Sequence, residues 1–119
     1  MLKRILINLF DTLGLLGISR YLNRNTPVIL MYHRIIDHPL LPGISPEVFQ
    51  AQMHYLKKKF RVISINQLIS EIASNAVKPN TVVITFDDGH RDFYTNAWPI
   101  LRKEEIPASL YITTDFIDK

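Results

Sequence analysis

Two adjacent acids, Asp87 and Asp88, followed by Gly89, close the most strand-like run in the chain, Thr81 to Phe86. In parallel α/β proteins reactive groups gather at the carboxyl ends of strands, where the sheet holds the backbone and loops begin. Alternation along a regular strand would send the two side chains to opposite faces. A turn at Gly89, which tolerates positive φ, can swing both into one cleft. Two free carboxylates that close push one pKa upward unless a cation intervenes. A metal ion resolves the conflict: one acid grips the cation and the other stays unligated as a base toward a bound water. Asp-Asp-Gly taken alone is also the composition of an ordinary polar turn.

The nitrogen donors are His33, His38, His54 and His90, and the chain has no cysteine. Disulfides and thiolate metal sites are thereby excluded, so any ion must be held by carboxylate and imidazole. His33 follows the first strand and faces the same rim as Asp87 if the sheet is parallel, which makes it a candidate site residue; a hydrogen-bonded structural role is the other reading. His38 and His90 fall on loops and His54 on a helix, where surface positions are the rule. Of these, His90 is nearest to the acidic pair. Arg91 and Asp92 are expected to pair with each other or to cap the helix that follows.

The elements that must position these groups can be read from the pattern. Pro27 to Tyr32 is continuously apolar and partly β-branched, as in a strand buried on both faces of a parallel sheet. Asp37 to Gly43 is a loop. Ser45-Pro46-Glu47 offers an N-cap with proline at the first helical position, and Val48, Phe49, Gln52, Met53, Leu56 and Phe60 keep helical spacing up to the lysine run 57–59. That run reads as a solvated helix end favoured by the helix dipole. Arg61 to Ile65 reads as a short strand, Asn66 as the cap of a second helix reaching Ser74, and residues 75–80 as a connector. After Thr81 to Phe86, a helix is expected from Asp92 to Glu105 with Pro99 near its first turns or at a kink, then a strand from Pro107 to Thr113. Strands alternating with helices over such connections argue for β-α-β units and a parallel sheet, since parallel strands need a crossover.

With 119 residues and 47% hydrophobic composition, the chain can bury a core. It is too short for an eight-unit α/β barrel of about 250 residues. Lys3, Arg4, Arg20 and Arg24 stand against Asp11 alone in the first 25 residues, which accounts for the whole net charge of +3. The rest is balanced, and no clustered basic face with interleaved aromatics marks a nucleic-acid partner. The start has the look of a signal peptide, but Asn8 and Asp11 interrupt its apolar stretch and no small-residue cleavage site follows. It is also too short and too polar to span a bilayer. Leu2, Ile5, Leu6, Leu9, Leu13 and Leu16 instead form one helical stripe, so residues 1–25 read as a basic amphipathic helix ahead of a domain at 26–119. That helix docks on its own domain or, in the second reading, lies against a membrane through residues 2–22. The corresponding location is cytoplasmic or peripheral to the inner face of the membrane.

Thr85-Phe86-Asp87-Asp88-Gly89 matches the first motif of the NodB-homology polysaccharide deacetylases, carbohydrate esterase family 4. The resemblance continues through Arg91-Asp92, Asn96 to Leu101 and Ile106 to Ile112, and appears upstream in Ile29 to Ile35 and Phe60 to Ser64. The chain therefore resembles the amino-terminal part of that family's domain. What the resemblance implies is a parallel-stranded, partial (β/α)₇ barrel comprising about the first four strands. It also implies removal of N-acetyl groups from an N-acetylated polysaccharide, with Asp87 as general base and Asp88 as ligand of a divalent metal, usually Zn²⁺. A bound zinc ion lowers the pKa of water from 15.7 to roughly 7, leaving the base only to assist.

The family's second motif supplies two histidines three or four residues apart as the remaining ligands, and no such pair follows Gly89 here. The later motifs for substrate contacts and a general-acid histidine are missing too. The expectation is an incomplete domain without deacetylase activity of its own, since zinc needs three protein ligands and an open position. The alternative is a fragment that binds carbohydrate without catalysis. A phosphoacceptor receiver domain fits poorly, because its acidic pair follows the first strand and here the pair ends the third. A haloacid-dehalogenase-like phosphatase needs carboxylates two apart, whereas Asp87 and Asp88 are adjacent.

Overall fold

The computed structural model describes residues 14–116. Its centre is β3 (Thr81–Phe86), every residue of which is buried. Alternation divides the strand between two cores. Val82, Ile84 and Phe86 face one with Ile35, Phe49, Met53, Leu56, Leu101 and Ile106, while Val83 meets Ile63 and Leu68 on the other. The sheet is parallel throughout. β1 (Val28–Tyr32) lines β3 in the register Val28 to Val82 through Tyr32 to Phe86. β2 (Arg61–Val62) pairs with Thr81 and Val82, and β4 (Ser109–Leu110) with Thr85 and Phe86. Since β1 fills one edge of β3 along its length, β2 and β4 share the other edge in tandem. That sharing is why both are two-residue strands and not the longer runs that Arg61 to Ile65 and Pro107 to Thr113 led us to expect.

β1 also departs from expectation. Leu30 and Tyr32 pack on the main core, but Val28, Ile29 and Met31 are exposed. Among the described residues the strand has β3 on one side only, and the second core covers Val83 and not the outward face of β1. Its apolar run therefore marks an edge strand with one packed face.

Between the strands, α2 (Pro46–Lys59) begins as the pattern requires: Ser45 accepts a hydrogen bond from the Val48 amide at 3.3 Å and Pro46 opens the helix. Phe49, Met53 and Leu56 are its buried stripe. At its end Lys57 is not merely solvated, because Nζ donates to the Glu104 carbonyl at 2.6 Å and ties two helix ends together. The cap of α3 (Ile65–Ala73) is Ser64 and not Asn66: Ser64 is extended, its Oγ accepts from the Gln67 amide, and Asn66 sits within the first turn.

After β3 the helix widens. Phe93–Ala97 is a π-helical turn, and α4 (Trp98–Glu104) continues from it, closed by Glu105 in the left-handed conformation. Trp98 donates its amide to the Phe93 carbonyl, five residues back. Pro99 follows at once and has no amide to give, so the expected Pro99 irregularity takes the form of one widened turn.

An earlier helix, α1 (Leu15–Leu22), exposes Ile18, Tyr21 and Leu22. The stripe from Leu2 to Leu13 lies outside the described residues. No helix among the described residues is long and apolar enough to cross a membrane.

Candidate active site

The floor of the site is aromatic. Phe86 sits in a ring cluster, stacked with Tyr32 at 5.4 Å and edge-on to Phe49 at 5.8 Å and Phe93 at 4.8 Å. Tyr32 donates its hydroxyl to Gln52 Oε1 at 3.0 Å, and burial raises its pKa above the usual phenol value. Such pairs each add about 0.5–1.5 kcal/mol beyond their buried area, so the strand ends beneath the rim are held firmly.

On that floor the chain leaves the sheet. The Asp87 amide donates to the Tyr32 carbonyl at 3.0 Å, one rung past the strand. Then Asp88 takes φ 71° and Gly89 φ 68°. A non-glycine residue with such a φ costs on the order of 1 kcal/mol and is retained where the surroundings over-determine it. Gly89 needs its missing side chain twice over, because a Cβ there would also lie 2.8 Å from Ile112 Cγ2. The turn thus begins at Asp88 itself, one residue earlier than the sequence implied. Asp87 is half-buried, and Asp88, 49% exposed, lines a cleft of about 580 Å³ with His33, Arg34, Tyr32 and His90.

His90 Nε2 stands 3.6 Å from Asp88 Oδ2. His33 and His90 therefore share the cleft with Asp88, whereas His38 accepts a hydrogen bond from Leu40 and His54 approaches Glu104 on the helix surface. Imidazole and carboxylate are the right donors for a divalent ion. Their number falls short: among the described residues no group of three or more His, Cys, Asp or Glu is placed to hold a metal.

The residues beside the pair are arranged differently from expectation. Asp92 neither pairs with Arg91 nor caps a helix. Its carboxylate, 6% exposed, receives Arg34 Nε and Nη2 at 2.9 Å each and the Ile35 amide at 2.9 Å. Asn96 Nδ2 donates to the Ile35 carbonyl at 2.7 Å. A buried carboxylate must find donors, and here they come from the segment after β1. Asp92 and Asn96 clamp both hydrogen-bonding groups of Ile35 and so fix the segment that presents His33 to the cleft. Sequence reasoning passed over Arg34 and Asn96 because their partners lie 58 and 61 residues away. The four-residue step from Asp92 to Asn96, both polar where the helix meets the core, was the available signal.

A parallel α/β sheet with acids and imidazoles at the carboxyl ends of its strands defines an enzyme-type partial (β/α) barrel, and comparison with known proteins is specific about which. The polysaccharide deacetylase family model matches residues 74–119. The poly-β-1,6-N-acetyl-D-glucosamine N-deacetylase of Staphylococcus epidermidis is 26% identical over 110 residues, which is 79% of this chain and 38% of that protein. Among solved structures, IcaB from Ammonifex degensii is 30% identical with a TM-score of 0.67 over 72% of this chain and 37% of its own. A de-N-acetylase from Aggregatibacter actinomycetemcomitans is 25% identical with a TM-score of 0.70, over 78% and 39% respectively. The chain is thus similar to the amino-terminal part of polysaccharide deacetylases and spans about two fifths of the length of the relatives it matches.

Proposed function

We propose that this chain contributes the first catalytic segment of a metal-dependent hydrolase that removes N-acetyl groups from an N-acetylated polysaccharide. The observation that carries the reading is Asp88, held in a left-handed turn at the mouth of the cleft beside His33 and His90. Asp88 is one ligand of a divalent ion, of which zinc fits the donor types. The ion, when bound, makes water acidic enough to attack near neutral pH. Asp87, anchored one rung above β3, is the base that takes the water's proton. Hydrolysis of the amide leaves acetate and a free amine on the sugar. His33 lies at the same rim, where its imidazole can donate to the acetyl group or a sugar hydroxyl.

The donors among the described residues are too few to hold the ion alone. The 119-residue chain by itself is therefore inactive in this reading. Acetate release from an N-acetylglucosamine oligomer tests both halves. The gene product that carries this chain should release acetate, and chelator, Asp87→Asn or Asp88→Asn should each remove at least about 100-fold of the rate. Metal-dependent release by the 119-residue chain alone would overturn the inactivity, and release indifferent to both aspartates would overturn the site.

A further inference from the structure

A second surface lies away from the rim, on the outward face of the π-helical turn and α4. Ala97 and Leu101 are buried inward, while Tyr94 and Trp98, four residues apart, stand 72% and 45% exposed. The two rings line a cleft of about 710 Å³ with Thr95, Pro99, Arg102 and Lys103. Neither Arg102 nor Lys103 makes an ion pair with another described residue.

We propose that this cleft is an accessory carbohydrate-binding site that takes a stretch of N-acetylated polymer outside the reaction cleft. This assignment rests on the polysaccharide reading above for its ligand class. Exposed tyrosine and tryptophan rings offer flat, apolar faces with a polar edge, which suits the C–H face of a pyranose and its ring of hydroxyls. The guanidinium and ammonium groups supply donors for acetyl carbonyls and hydroxyls. They add selectivity as well. An N-acetylated sugar is neutral, but its deacetylated product carries an ammonium group, which the unpaired cations repel. The surface thus holds unreacted polymer and lets reacted polymer go. A membrane fits it less well, because an interfacial helix needs a broad apolar stripe, and here the two rings are flanked by threonine, arginine and lysine around a concavity.

Trp98 is the only tryptophan in the chain, so its fluorescence reports on this cleft directly. The 119-residue chain, titrated with an N-acetylglucosamine pentamer at low salt, should show a saturable change in Trp98 emission. The matched glucosamine pentamer should bind at least about threefold more weakly, a gap that shrinks with salt and in the Arg102→Gln, Lys103→Gln double variant. Tyr94→Ala, at an exposed position, should keep the fold by circular dichroism yet weaken binding at least about fivefold. Asp88→Asn should leave the titration unchanged. Absence of any response, equal response to both pentamers, loss of response in Asp88→Asn, or a response to anionic lipid vesicles in place of sugar would each overturn the assignment. Failure here alongside acetate release by the gene product rejects the accessory site and leaves the deacetylase reading standing.

Discussion

The two ends of β3 carry charge in opposite ways. At the amino end, Arg61 Nη1 donates to Glu71 Oε2 at 2.8 Å and to Thr81 Oγ1 at 3.2 Å, Thr81 Oγ1 donates in turn to the Lys78 carbonyl at 2.7 Å, and the opposite charges neutralise each other. At the carboxyl end, Asp88 sits in a strained turn with only a 3.6 Å approach from His90, open to a cleft. One strand thus separates a closed electrostatic arrangement from an open one. Charges satisfied within the protein support the fold, whereas charges left open on a rigid floor remain free to act on something else. Asp92 shows that the rim still has its own support: the Arg34 and Ile35 contacts satisfy this carboxylate, four residues beyond Asp88, and leave Asp88 open to the cleft.

That contrast can be broken most forcefully at Asp92. Asp92→Ala leaves the Arg34 guanidinium and the buried Ile35 amide without their acceptor, and should destabilise the chain by about 2–3 kcal/mol in urea unfolding. A loss under about 0.5 kcal/mol would mean that the rim does not depend on this clamp. Next come the paired substitutions in the turn. Gly89→Ala forces a side chain into positive φ and against Ile112, and should cost about 1–3 kcal/mol. Asp88→Gly relieves the positive-φ strain at position 88 itself, and should raise stability by up to about 1 kcal/mol. A stabilised Asp88→Gly variant is the signature of a residue kept for something other than the fold; a clear loss would place Asp88 with the supporting residues.

The smallest effect belongs to the amino end, and pH reads it. The hydrogen bond from Arg61 holds the Glu71 carboxyl below its ordinary range, with Gln67 adding to it, and the same contact raises Arg61 above its own. A carboxyl depressed in the folded state contributes stability above its unfolded pKa, near 4.3, and loses it as pH falls through the folded value. The stability difference between the chain and its Glu71→Gln variant should therefore be present at neutral pH and fade as the solution is acidified below about pH 4. A difference that persists unchanged into that range would show that the pair acts by shape and not by charge.

Much of this was legible in the chain alone. The continuous apolar run of Thr81 to Phe86 ended by Asp-Asp-Gly placed the acids at a strand terminus, and Ser45-Pro46 located the start of α2, because caps and strand patterns are local chemistry. The parallel sheet followed from the alternation of elements. Less legible were element lengths and partners. β2 and β4 are short because they divide one edge of β3, and β1 is half exposed because it has one neighbour among the described residues. Neither fact resides in the segments themselves. The same holds for Arg34, Asp92 and Asn96, whose contacts close over more than 50 residues of chain.

The sequence by itself determined which groups are available: an adjacent acid pair, a handful of imidazoles, no thiols, and the strand that carries them to a rim. Only the tertiary structure decided how they divide. It opened Asp88 to the cleft and left Asp87 half-buried beside it, set His33 and His90 there while leaving His38 and His54 outside, and drew Asp92 inward to hold the β1 segment. Residue types are fixed by covalent chemistry, but a side chain's direction at a strand end depends on φ values and close approaches set by distant segments, such as Ile112 against Gly89.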